Sequence, residues 1–144
     1  MFSKACEYGI RAVVYIAHKS LEGQRVSLKE IADAIDSPVA FTAKILQQLS
    51  RNGLVDSVKG ASGGFEMSEG RIREVRLADI VSVVDGNRVY EGCGLGLKKC
   101  NEHKPCPVHW EFVEVRDRLK ALLETTSIHD MTMGVGSGIS YLKR

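Results

Sequence analysis

No apolar run in this 144-residue chain approaches the roughly 20 residues needed to cross a bilayer, so no membrane partner is expected. The opening residues Met1 to Glu7 lack the apolar core of a secretory leader and pass straight into a helical pattern. The expected location is therefore cytoplasmic, where the four cysteines stay reduced and a metal or redox role outranks a structural disulfide. A strong charge of one sign is also missing. Twenty Lys and Arg against 18 Asp and Glu leave +2, and the excess lies before Leu77. The total neither demands nor forbids nucleic acid; only its distribution can decide. The chain has no internal repeat, nucleophile–base pair, phosphate loop or paired-carboxylate motif, so neither catalysis nor a small-molecule substrate is expected.

What is present is an ordinary globular composition, 44% apolar and 26% charged, long enough to bury a core. Ile10, Val13, Val14, Ala17 and Leu21 follow one helix face, with Ser3 as N-cap and Gly23 as stop. Ser27-Leu28-Lys29-Glu30 reads as a capping box opening a second helix, with Leu28, Ile31, Ala32 and Ile35 on one face. Ser37 and Pro38 then start a third, about Pro38 to Asn52, with Thr42, Ile45, Leu46 and Leu49 inward and Gly53 as terminator. Two short β-like runs around Lys59-Gly60-Ala61-Ser62-Gly63-Gly64 form a hairpin. A further helix carries Leu77, Ile80, Val81 and Val84 and ends at Gly86.

The order is that of a winged helix-turn-helix, in a mainly helical α+β fold. Residues 1–86 are expected to form the DNA-binding domain and 87–106 a cysteine-rich cluster-binding loop. A long dimerisation helix follows over 107–125, then a C-terminal segment and mobile tail over 126–144. In the long helix, Val108, Phe112, Val115, Leu119 and Leu122 have the rhythm of a pairing seam. The tail expectation rests on Gly134, Gly136 and Gly138.

Between Val39 and Val55 there is no acidic residue, as suits a helix approaching phosphates. Ala40, Ala43 and Lys44 are placed towards a duplex groove, with Gln47 and Gln48 as base readers and Arg51 on phosphate. Lys59 sits at the hairpin tip, where a wing enters the minor groove. The blander alternative is that these cations only solvate a helix face and a turn.

Cys93, Cys100, Cys106 and His109 form Cys-x6-Cys-x5-Cys-x2-His, a full ligand set for an iron–sulfur cluster or zinc. Structural zinc usually takes a Cys-x2-4-Cys knuckle, which is absent here, and a metal-free thiol switch through Cys93–Cys100 or Cys100–Cys106 is the third option. Glycines 92, 94 and 96 let the backbone wrap closely, and their amides can donate to sulfur. Lys98, Lys99 and Lys104 are expected to lower the thiol pKa values. Cys6 reads as a packed small hydrophobe and His103 as solvent-facing.

With these residues in view, the chain resembles the Rrf2 family of bacterial winged-helix transcription regulators, particularly its iron–sulfur members, the IscR-like and NsrR-like proteins. The resemblance covers roughly residues 1 to 130. It is carried by Glu7-Tyr8-Gly9-Ile10-Arg11-Ala12, Leu46-Gln47-Gln48-Leu49, Asn52-Gly53-Leu54-Val55, the wing from Val58 to Phe65, and the three-cysteine loop before a long helix. It implies a homodimer with crossed long helices, binding an operator in double-stranded DNA. It also implies a [2Fe–2S] or [4Fe–4S] cluster on Cys93, Cys100 and Cys106 that senses iron–sulfur status, redox state or nitric oxide. His109 stands where IscR-like proteins place a histidine ligand. Glu7 stands where NsrR-like proteins place an aspartate from the other subunit, and is the alternative fourth ligand. The first cysteine gap is one residue longer than in the best-known members. Ala43 replaces the acidic residue by which IscR-like proteins discriminate operators, so target choice does not carry over. A redox or cluster carrier without specific DNA binding is the competing function, and the acid-free helix and glycine wing speak against it.

Overall fold

The computed structural model describes residues 1–143. The elements run α1 (Lys4–Leu21), α2 (Leu28–Ile35), α3 (Val39–Arg51), β1 (Asp56–Val58), β2 (Gly64–Glu66), α4 (Glu69–Glu74), α5 (Leu77–Asp85), α6 (Arg88–Glu91), α7 (His109–Thr125) and α8 (Ile128–Gly136). No helix among the described residues is long and apolar enough to cross a membrane. The Ser3 hydroxyl accepts from the Cys6 amide to cap α1. Ser27 and Glu30 close both halves of the capping box on α2. At α3 the boundary shifts by one residue. Pro38, with φ −60° and ψ 133°, is the N-cap, and the Ser37 hydroxyl bonds the Thr42 hydroxyl instead of a backbone amide.

Thr42, Ile45, Leu46 and Leu49 of α3 are all buried, against α1 residues Ala12, Val13, Ile16 and Ala17 and α5 residues Ile80 and Val81. β1 and β2 pair antiparallel, Asp56 opposite Glu66 and Val58 opposite Gly64. Val26 adds a third extended segment: its N–H donates to Phe65 O at 3.1 Å and its carbonyl accepts from Phe65 N–H at 2.7 Å. The mainly helical winged helix-turn-helix is thus observed.

Two of the three glycines expected in a mobile tail are placed in a helix instead. Gly134 and Gly136 lie inside α8, which a Ser127–Asp130 capping box opens and which packs along α1. Ile128 is fully buried and Thr132 is 1% exposed. Backbone bonds from Leu77 N–H to Thr126 O and from Ile128 N–H to Val75 O, each 3.0 Å, tie this segment to the α4–α5 junction. Burial of an amphipathic face outweighs the low helix propensity of glycine. The expected seam on α7 also splits. Phe112 and Leu119 are half-buried within the chain, whereas Val115 and Leu122 are more than half exposed, as is Trp110.

Candidate cysteine centre and nucleic-acid face

The acid-free helix and the hairpin enclose one groove of about 610 Å³, lined by Ala43, Lys44, Gln47 and Arg51 from α3, Lys59 from the hairpin tip, and Leu28, Ser50, Ser57 and Phe65. Five of the seven residues expected at DNA therefore share one surface. Ala40 is exposed on the first turn of α3, outside the groove lining. Gln48 lies outside the groove lining, and its Nε2 donates to Val83 O of α5 at 2.7 Å. That bond joins the third helix to the segment leading into the cysteine loop.

The wing has its shape for reasons of close approach. A Cβ on Gly63 would stand 2.2 Å from Val58 O, and one on Gly64, whose φ is +148°, would stand 2.4 Å from Val26 O. Arg25, which the sequence patterns do not single out, clamps the turn. Its Nε and Nη2 donate to the two Glu66 carboxylate oxygens at 3.1 and 3.2 Å, and Nη1 donates to Ser62 O at 3.0 Å.

The cysteine loop is held by a single stripe of α7, the i, i+3, i+7 residues His109, Phe112 and Arg116. His109 is 5% exposed, its Nδ1 3.4 Å from Cys100 Sγ, with Trp110 edge-on to its ring at 4.7 Å. The Phe112 ring lies against Gly94 so closely that a Cβ there would meet it at 2.3 Å. Arg116 Nη1 donates to Gly92 O at 3.0 Å, and Nη2 to Cys100 Sγ at 3.5 Å.

Cys93 takes no part in these bonds. Its thiol pKa is held below the ordinary value, chiefly by the backbone amides of Leu95 and Leu97, then by the Cys106 thiol and the Gly96 amide. The lysines expected to do this are exposed and are not the cause. His103 is exposed beside Glu102, as expected. Cys6 is fully buried, and burial, with Asp85 beside it, pushes its thiol up to about 12. Glu7 is exposed on α1 and pairs with Lys4 at 3.3 Å.

Of the four expected ligands, Cys100 and His109 are in direct contact, while the Cys106 thiol is one of the groups that lower the Cys93 pKa. An open cleft of about 470 Å³ lies beside Cys100, His109 and Arg116, and Cys93 and Cys106 are not in its lining. Among the described residues no three His, Cys, Asp or Glu converge on the position of a single metal ion. Three soft thiols and an imidazole on a glycine-rich loop fit a cluster, whose irons are separate and whose ligands are correspondingly spread. They do not form a ready mononuclear site, in which four donors surround one point at about 2.0–2.3 Å.

Comparison with known proteins places this architecture. The family model Rrf2, described as an iron-dependent transcriptional regulator, matches residues 2–134. The chain belongs to the Rrf2 family. An HTH-type transcriptional regulator of Aquifex aeolicus is 32% identical over 133 residues, covering 91% of this chain and 90% of the relative. The regulator IscR of Photorhabdus laumondii is 26% identical over 124 residues, covering 86% and 74%. Among solved structures, CymR, the global cysteine regulator of B. subtilis, superposes with a TM-score of 0.75 at 25% identity, over 92% of this chain and 96% of that one. This Rrf2 protein is a DNA-binding transcription regulator, and its relatives are regulators rather than enzymes.

Proposed function

We propose that this Rrf2 protein is a cytoplasmic, homodimeric regulator whose operator affinity is set by the state of the loop bearing Cys93, Cys100 and Cys106. The observation that carries the reading is the stripe His109, Phe112 and Arg116, which holds a three-thiol loop against one helix. In this reading Cys93, Cys100, Cys106 and His109 hold a [2Fe–2S] or [4Fe–4S] cluster, with Glu7 of the partner subunit as the alternative fourth ligand. When bound, such a cluster supplies a centre whose charge and integrity respond to iron–sulfur supply, redox state or nitric oxide. The remaining work falls to the chain. The loop follows directly on α5 and α6, and α5 is bonded to the third helix through Gln48 and Val83. Movement of the loop therefore bears on the orientation of α3. The exposed Val115 and Leu122 of α7 suit a second copy of the chain, and a dimer presents two recognition helices to half-sites about one helical turn apart. Ala43, Lys44, Gln47, Arg51 and Lys59 form the duplex-facing surface, with Ala40 at its edge.

The Cys106 thiol is among the groups that lower the Cys93 pKa, which favours a second reading, a thiol switch, and the likeness to a cysteine regulator supports it. Cys93–Cys106 joins Cys93–Cys100 and Cys100–Cys106 as a candidate pair for that switch. The two thiols would lose two protons and two electrons to an oxidant such as a peroxide, which is reduced to water. A zinc site is less favoured, because the Cys-x2-4-Cys knuckle usual for structural zinc is absent. A carrier without specific DNA binding is less favoured because of the cationic groove.

The test is anaerobic purification with an absorption spectrum and iron and sulfide counts, followed by selection of an operator from a randomised duplex library. Two or four irons per chain with matching sulfide, and operator affinity that differs between holo and apo protein, are expected. Iron-free protein that stays iron-free on reconstitution, with affinity responding to peroxide, selects the thiol switch. Equal affinity and sequence preference in every state overturns both.

A further inference from the structure

We propose that Arg116 is the positioning residue of the cysteine centre, a fork that pins the start of the loop and the second thiol to α7 at once. The proposal rests on the reading of this loop as the regulatory centre. Three observations meet on one side chain. Nη1 donates to the carbonyl of Gly92, the residue immediately before Cys93. Nη2 donates to Cys100 Sγ, the sulfur that also faces His109 Nδ1. The salt bridges of the described residues do not include Arg116, so its charge is directed at a sulfur and a carbonyl rather than at a carboxylate.

Only a planar guanidinium spans two acceptors eight residues apart in this way. Lysine offers one point of charge on a flexible stem. Without Arg116, Cys100 keeps its neighbour His109 but loses its tie to the start of the loop, and the Cys93 and Cys100 halves are free to separate. A charged donor on a ligand sulfur also stabilises the more negative, reduced form of any centre bound through it. Arg116 therefore fixes where Cys100 lies and how electron-rich its sulfur is.

The experiment uses the full chain as wild type, Arg116→Gln and Arg116→Lys. In iron-free, reduced protein, tryptic cleavage after Lys98 and Lys99 reports loop opening. It is expected to rise about tenfold in both variants, as for loss of one charge-assisted hydrogen bond, with the melting midpoint unchanged. In anaerobically reconstituted protein, the midpoint potential of Arg116→Gln is expected to shift to more negative values. Cleavage and potential both equal to wild type overturn the proposal. Faster cleavage with an unchanged potential overturns its sulfur-donor half, and full rescue by lysine overturns the fork. A wild type that takes up no iron defeats the cluster reading alone, because the cleavage arm still decides whether Arg116 holds the loop.

Discussion

The wing and the cysteine loop are both glycine-rich and both carry exposed lysines, yet they are held in opposite ways. In the wing the backbone does the holding. β1, β2 and Val26 are joined by main-chain bonds, Arg25 closes the turn on Ser62 and Glu66, and Gly63 and Gly64 stand where any Cβ would strike a carbonyl. In the cysteine loop the holding is done by side chains of one helix, through His109, Phe112 and Arg116, and most loop residues are exposed. A segment fixed by its own backbone has one shape; a segment fixed by a few side-chain contacts can be released by changing them. The comparison assigns rigidity to the reading surface and responsiveness to the loop.

The largest effect is expected where backbone does the holding. Gly63→Ala forces a methyl against Val58 O and should cost about 1–3 kcal/mol in urea unfolding, with a clear loss of DNA affinity. Gly94→Ala meets only the far edge of the Phe112 ring, which can swing aside. Its stability should change by less than about 1 kcal/mol while iron retention falls severalfold. Equal destabilisation by the two substitutions would break the comparison.

Arg51→Ala and Lys59→Ala should weaken binding alike on all sequences and reduce the salt slope by about one each. An unchanged slope removes that residue from the phosphate contacts. An effect confined to alkaline pH concerns the buried thiol of Cys6. Its folded pKa is raised to about 12 from an ordinary 9.0, so the neutral form is the one the fold prefers. The resulting stability is fully present below about pH 9 and is lost as pH rises towards 12. Cys6→Ala should flatten that alkaline limb in a denaturation series. A limb of equal slope in the variant assigns the loss to other groups.

Much of the winged half could be read from local pattern. The Ser27–Glu30 box, the apolar stripe of α3 and the glycine run of the turn are each written within a few residues, and each is found in place. Where the reading failed, the deciding partner was distant. Gln48 looked free until Val83, 35 positions on, accepted its amide. Gly134 and Gly136 looked like a tail until α1 supplied a surface for Ile128 and Thr132. Arg116 had a faint signal, two helical turns beyond His109 on the same line, but nothing in the spacing told which acceptors it would meet.

Legible in the chain alone were the helices with caps and stripes, the wing, the family, and the candidate donors Cys93, Cys100, Cys106 and His109, with Glu7 as the alternative fourth. Periodicity, capping and residue chemistry act over a few positions, so they are written where they operate. Tertiary packing set the contact of Cys100 with His109, the backbone amides rather than lysines that lower the Cys93 pKa, and the bond from α3 to α5. Those outcomes depend on which distant surfaces the buried core brings together, and no local pattern encodes that choice.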